Sequence, residues 1–195
     1  MHIRFNAIFV VCLCVAFAGG CAVARNGTEL KSTFDKGVAA YDARDFAQAF
    51  EIFKSIDEED VAAMRNEGYM LRQGSGTAKD PSAARNVLKR AAELGLPTAQ
   101  YDLAEMLMSG ELGTPDVKAA LPWLTLSASA HHPIAMYRMA ELYEQGTLVA
   151  MNVDTARTLY AEAAAAGVPN AKERLAALGG PLAGQSSPEM HPATP

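Results

Sequence analysis

Along most of this chain, apolar residues recur every three or four positions, the spacing that lines up one face of an α-helix. Ala84, Val87, Leu88, Ala91 and Ala92 form one such stripe. Ala120, Trp123, Leu124, Ser127 and Ala128 repeat it, and so do Ala156, Leu159, Tyr160, Ala163 and Ala164. A second set of helices is marked by Leu103, Ala104 and Leu107, and by Met139, Ala140 and Tyr143. Every periodic segment has helical spacing, which predicts an all-α protein.

A longer period organises these helices. Ala63, Ala99, Ala135 and Ala171 are 36 residues apart. At fixed offsets from the first three come Gly74, Gly110 and Gly146, then Ala84, Ala120 and Ala156, then Pro97, Pro133 and Pro169. Each period holds two helices, so the chain is a repeat array. The punctuation agrees. Asp80 before Pro81 suits an N-cap and the first helical position, and Asp116 and Asp154 are similar cap candidates. Gly95 and Gly167 sit where a helix ends in the left-handed region, with Pro97 and Pro169 just beyond. The middle unit carries His131 in place of that glycine, and Pro122 inside its second helix predicts a kink or a loosened turn.

Before Ala63 the chain carries a related unit with a shorter inner loop. Gly37 to Ala49 spans 12 residues, whereas Gly68 to Ala84, Ala104 to Ala120 and Ala140 to Ala156 each span 16. Tyr41, Asp45, Phe46, Ala49 and Phe53 in that unit resemble a tetratricopeptide repeat. The later units resemble Sel-one-like repeats, through Ala99-Gln100-Tyr101-Asp102-Leu103-Ala104 and Ala91-Ala92-Glu93-Leu94-Gly95. The resemblance covers about residues 34–178. It implies an α/α solenoid of helix-turn-helix repeats in a right-handed superhelix, in which each unit buries its apolar face on its neighbours.

The N-terminus has the pattern of an export signal. His2 and Arg4 precede an apolar run from Ile8 to Ala18, too short for a bilayer core that needs about 20 residues. The run ends Ala18-Gly19-Gly20-Cys21, which resembles a bacterial lipobox, although Ala18 stands where that motif usually has Leu. The resemblance implies lipidation of Cys21; an ordinary signal peptide cut after Gly20 or Ala22 is the alternative. Cys12, Cys14 and Cys21 are the three cysteines of the chain, so a mature protein starting at Cys21 has no disulfide and no free thiol in its repeats. The expected organisation is a signal peptide at 1–20, a lipidated, disordered tether at 21–29 and a tetratricopeptide-like unit at 30–62. Three Sel-one-like repeats with a C-terminal half-unit cap follow at 63–178, and a disordered Gly/Pro/Ser-rich tail at 179–195.

Composition narrows the function. Loss of residues 1–20 removes Arg4 and takes the formal charge from −5 to −6. There is no basic stripe for nucleic acid. No phosphate loop, His-Glu-x-x-His or paired-cysteine motif is present, so neither a metal nor another cofactor is expected, and the protein is read as a non-enzyme. His131-His132 point about 100° apart on a helix and chelate poorly, so they are expected to mark a helix end. Asn26-Gly27-Thr28 is an incidental sequon, and Met106, Met136 and Met139 are expected in the core.

In tetratricopeptide-like stacks the first helix of each pair lines the concave face. By position, the resemblance nominates Arg65, Tyr69, Arg72 and Gln73, then Tyr101, Glu105, Met108 and Ser109, then Tyr137, Glu141, Glu144 and Gln145. This implies a partner-binding groove that is basic at one end and acidic at the other, with tyrosines between, suited to a protein or peptide; a merely solvated face is the alternative, and half-buried packing is the alternative for Tyr101 and Tyr137. The whole reading is of a lipid-anchored interaction adaptor of the bacterial cell envelope, with Ala22 favouring the outer membrane facing the periplasm. The resemblance offers two roles, a scaffold for an envelope assembly such as exopolysaccharide secretion, or a regulator of a sensor kinase. An envelope hydrolase is the alternative from another class.

Overall fold

Asn26 opens the first helix, because its side-chain oxygen accepts the otherwise unpaired N–H of Glu29 at 2.9 Å. The sequon at this position is therefore a helix cap. In the computed structural model, which describes residues 25–181, α1 runs Gly27–Asp42 and α2 Phe46–Lys54. The long units follow as α3 (Val61–Gln73) with α4 (Pro81–Glu93), α5 (Pro97–Ser109) with α6 (Val117–Ser129), and α7 (Pro133–Gln145) with α8 (Val153–Ala165). A short α9, Ala171–Ala177, closes the array. Among the described residues there are nine helices and no strand, and no helix is long and apolar enough to cross a membrane. The apolar run and Cys21 lie outside the described residues.

The 36-residue period appears as six helices of 13 residues each. Caps set their ends. Asp60, Asp80 and Asp116 each accept a backbone N–H at a helix start. In the last unit this role falls to Asn152, whereas Asp154, expected as the cap, lies inside the first turn of α8. Gly74, Gly110 and Gly146 end the first helices in the left-handed region, where a side chain costs energy. After α6 the left-handed residue is His131, with φ 57°. His132 then caps α7 by accepting the Ala135 N–H on Nδ1 at 3.3 Å. The histidine pair therefore punctuates two helices, and the dipole argument for a cationic side chain fits only His131. Pro122 lies inside α6, and the helix runs on to Ser129.

Each helix packs on the next, and the first helices α3 and α5 also touch. Small residues set the separation. Ala84, Ala120 and Ala156 are fully buried, as are Ala63, Ala99, Ala135 and Ala171. A Cβ on Gly37 would lie 2.7 Å from the Phe53 ring, and one on Gly68 would lie 2.7 Å from Leu88 Cγ. Glycine thus lets the first helix of each of these pairs close onto the second. Met106, Met136 and Met139 are in the core, as expected.

Both ends of the described array are tied to their neighbours. Arg25 binds Glu59 at 2.7 Å and the Ser55 carbonyl at 3.0 Å, and α1 starts inside the segment expected to be a disordered tether. At the other end Arg157 donates to the Gly180 carbonyl at 2.8 Å, which pins the start of the segment expected to be a disordered tail.

Candidate functional site

The first helices α1, α3, α5 and α7 lie side by side, and their inner residues recur with the period. Arg65, Tyr101 and Tyr137 are equivalent, as are Tyr69, Glu105 and Glu141, and Arg72, Met108 and Glu144. What these side chains do differs from seam to seam.

Between α3 and α5 the face is closed by ion pairs. Arg65 Nε donates to Asp102 Oδ2 at 2.6 Å while its guanidinium lies 5.1 Å over the Tyr69 ring. Arg72 donates to Glu105 at 3.1 Å and to Glu111 at 2.8 Å. These bonds raise the Arg72 pKa, that to Glu111 most, and hold Glu111 below the usual carboxylate range. Tyr101, equivalent to Arg65, is only 8% exposed. Its hydroxyl donates to Glu105 at 2.9 Å, and its ring stacks on His132 at 5.1 Å. Burial, then the Glu105 bond, push its pKa up to about 12. Burial also lowers the His132 pKa, so the ring caps α7 in its neutral form.

Between α5 and α7 the seam opens into a cleft of about 500 Å³. Met108 and Leu142 form its apolar walls, and the fully buried Leu124 lies beneath them. Arg72, Glu105 and Ser109 form one rim, and Arg138, Glu141 and Gln145 the other. Arg138 donates to Glu141 at 3.0 Å, which raises its pKa. A second cleft, of about 380 Å³, lies between α1 and α3 over Phe53, walled by Val38, Tyr41, Arg65, Asn66, Tyr69 and Met70. At the far end, Tyr160 donates to Glu144 at 2.7 Å, Arg174 binds the same carboxylate at 2.8 Å, and Tyr137 packs edge-on against Tyr160.

Of the residues nominated from sequence, Arg72, Glu105, Met108, Ser109, Glu141 and Gln145 meet in the larger cleft, whereas Arg65 and Tyr69 line the smaller one. Glu144 and Tyr137 belong to the far-end cluster, and Gln73 is exposed outside both clefts. Two expectations need correction. Tyr101 is buried and so supplies little contact area. The face is also not basic at one end and acidic at the other, because each nominated Arg is neutralised by a carboxylate of the next unit. Sequence reasoning missed Arg138, Asp102 and Glu111. Asp102 and Arg138 share the register of Asn66, one residue beyond the nominated position, so a wider helical face would have included them. Glu111 lies in a loop, which no helical register reaches. Outside the groove, Glu67 is buried with one carboxylate oxygen unpartnered, and burial, then Asp57, push its pKa up to about 6. Among the described residues no three His, Cys, Asp or Glu side chains gather to hold a metal.

Stacked helix pairs with an open face define a helical-repeat solenoid. The Sel1 repeat matches residues 61–96, 97–132 and 133–168, and the chain belongs to the Sel1 repeat family. It is similar to a Sel1 repeat protein from Oxalobacter formigenes, with 30% identity and a TM-score of 0.69 over 73% of this chain and 58% of that one. It is also similar to c5321, a protective antigen of uropathogenic Escherichia coli strains with an SLR fold, at 26% identity and a TM-score of 0.69, over 76% of this chain and 33% of that one. It therefore spans less than two thirds of either protein's length. No curated protein matches the sequence significantly. Sel1 repeats generally mediate protein–protein interaction, on a scaffold that is generally non-catalytic.

Proposed function

We propose that this protein is a lipid-anchored, non-catalytic adaptor of the bacterial envelope that holds a protein partner in its concave groove. One observation carries the binding reading. The cleft between α5 and α7 is open to solvent, has apolar walls in Met108 and Leu142 and is rimmed by polar side chains from three successive first helices. That combination suits a protein segment that anchors an apolar side chain and satisfies its polar groups at the rim. The lipobox-like ending at Cys21 supports the anchor, and the placement at the outer membrane rests on Ala22 alone.

Crosslinked affinity capture from the native envelope tests the adaptor. Wild type is expected to retain a discrete partner, and Arg138→Glu, at the exposed rim, is expected to lose it. Equal capture by a well-folded Arg138→Glu protein would remove the groove from the interaction. An acyl mass on mature Cys21, lost in Cys21→Ser, tests the anchor. Turnover of peptidoglycan or β-lactams by the purified protein would replace the adaptor with a hydrolase.

A further inference from the structure

The two clefts occupy equivalent places in the array. One lies between α1 and α3 over Phe53, the other between α5 and α7 over Leu124, and Phe53 and Leu124 hold the same position in their helix pairs. The intervening α3–α5 seam is sealed by Arg65–Asp102 and by Arg72 with Glu105 and Glu111. The clefts are therefore two helix spacings apart, about 16–20 Å at the usual interaxial distance. That is five or six residues of extended chain at about 3.3 Å per residue.

Their chemistry differs. The first is walled by Tyr41, Tyr69 and Val38 over an aromatic floor. Its one charged group, Arg65, is engaged by Asp102 and lies over Tyr69. It therefore suits an aromatic or large aliphatic side chain. In the second cleft Arg138 is the more exposed member of its ion pair, with 46% of its side chain accessible against 24% for Glu141. Arg65 likewise stands out from Asp102, at 29% against 8%. On the opposite rim of the second cleft the order is reversed, with Glu105 at 34% against 11% for Arg72, so Arg138 alone offers that cleft an exposed cation. The Arg138–Glu141 pair is the exposed, same-helix kind worth little, so a partner carboxylate can share or take over its guanidinium.

Resting on the adaptor reading, we infer that the groove binds one extended peptide segment of its partner through two anchors. An aromatic side chain enters the α1–α3 cleft, and five or six residues along the chain a carboxylate side chain meets Arg138. The residues between cross the sealed α3–α5 ridge as a spacer.

Fluorescence anisotropy on the purified residues 22–195 tests this directly. The probe is a labelled decapeptide of serine and glycine carrying one tryptophan and, five positions on, one aspartate. Either order along the peptide is tried, since the clefts do not fix direction. Binding is expected to weaken at least tenfold when the tryptophan becomes alanine, when the aspartate becomes lysine, or when the two are placed next to each other. It is also expected to weaken as salt rises. Arg138→Glu is expected to reverse the charge preference, so that the lysine peptide binds better than the aspartate peptide. Tyr41→Ala, checked by circular dichroism, is expected to erase the difference between tryptophan and alanine. Should Tyr41→Ala unfold, the Arg138→Glu charge reversal decides alone. Binding that ignores both anchors or their spacing, or no binding at millimolar peptide, overturns the two-anchor proposal. If Arg138→Glu still abolishes capture of the native partner in that case, the adaptor survives with a different ligand chemistry. If capture is unaffected, the groove reading falls as well.

Discussion

Between α3 and α5 the concave face is sealed by charge, with Arg65 on Asp102 and Arg72 shared by Glu105 and Glu111. One repeat further on, between α5 and α7, the same backbone positions hold Tyr101 stacked on His132 and Arg138 paired within its own helix, and the seam opens into a cleft. The helices on both sides are 13 residues long and start 36 residues apart. Backbone geometry therefore does not decide which seam opens. The buried alanines fix the spacing of the helices, while the polar and aromatic inner positions decide whether neighbouring units lock together or leave room for a ligand.

The largest test asks whether the scaffold really is common to both seams. Leu88 and Leu124 are equivalent and fully buried. Truncating either to alanine is expected to cost about 2–5 kcal/mol in urea unfolding. A loss at Leu124 below about 1 kcal/mol would mean that the cleft above it has already loosened the core. The next test separates the seams. Arg65→Ala leaves the Asp102 carboxylate, whose side chain is 8% exposed, without its cation, and is expected to cost about 2–4 kcal/mol. A negligible loss would show that the ionic seam does not stabilise the array.

Acid is expected to reach the aromatic seam through His132. Burial depresses its pKa, so the folded state favours the neutral ring whose Nδ1 caps α7. The corresponding stability is present above the ordinary histidine range and is lost as pH falls through it. His132→Asn, which caps without titrating, is expected to remove this pH dependence. A melting profile unchanged by that substitution would disconnect the seam from pH. The smallest expected effect is that of Arg138→Ala, an exposed i,i+3 pair worth at most about 0.5 kcal/mol. A larger loss would mean that its pair with Glu141 is structural, and would weaken its assignment to ligand binding.

The period, the helix pairs and the buried stripes were legible because they depend on residue type at fixed spacing. Ala84, Ala120 and Ala156 recur in sequence for the same reason that they pack in space. The seams were not legible, because a register says which residues face inward and not which neighbour they meet. Arg72 looked like a free basic end until Glu105 and Glu111 were found against it. Tyr101 could equally be a contact or a packing residue, and its bond to Glu105 and stacking on His132 decide for packing. The error at Asp154 has a simpler cause. Two cap-forming residues, Asn152 and Asp154, stand two positions apart, and the one preceding the first helical residue takes the cap.

The matched helix ends suggest that a whole unit could be excised. Deleting 97–132 would join Leu96 to Pro133, and α7 would begin on a proline just as α5 does. The backbone would tolerate the shortening. The side chains would not, because Arg138 would then occupy the register of Asp102 and bring a second guanidinium against Arg65. The units are therefore interchangeable in shape but not in order. Their sequence along the chain is written in the charges between neighbours, so this array cannot be shuffled, only extended at its ends.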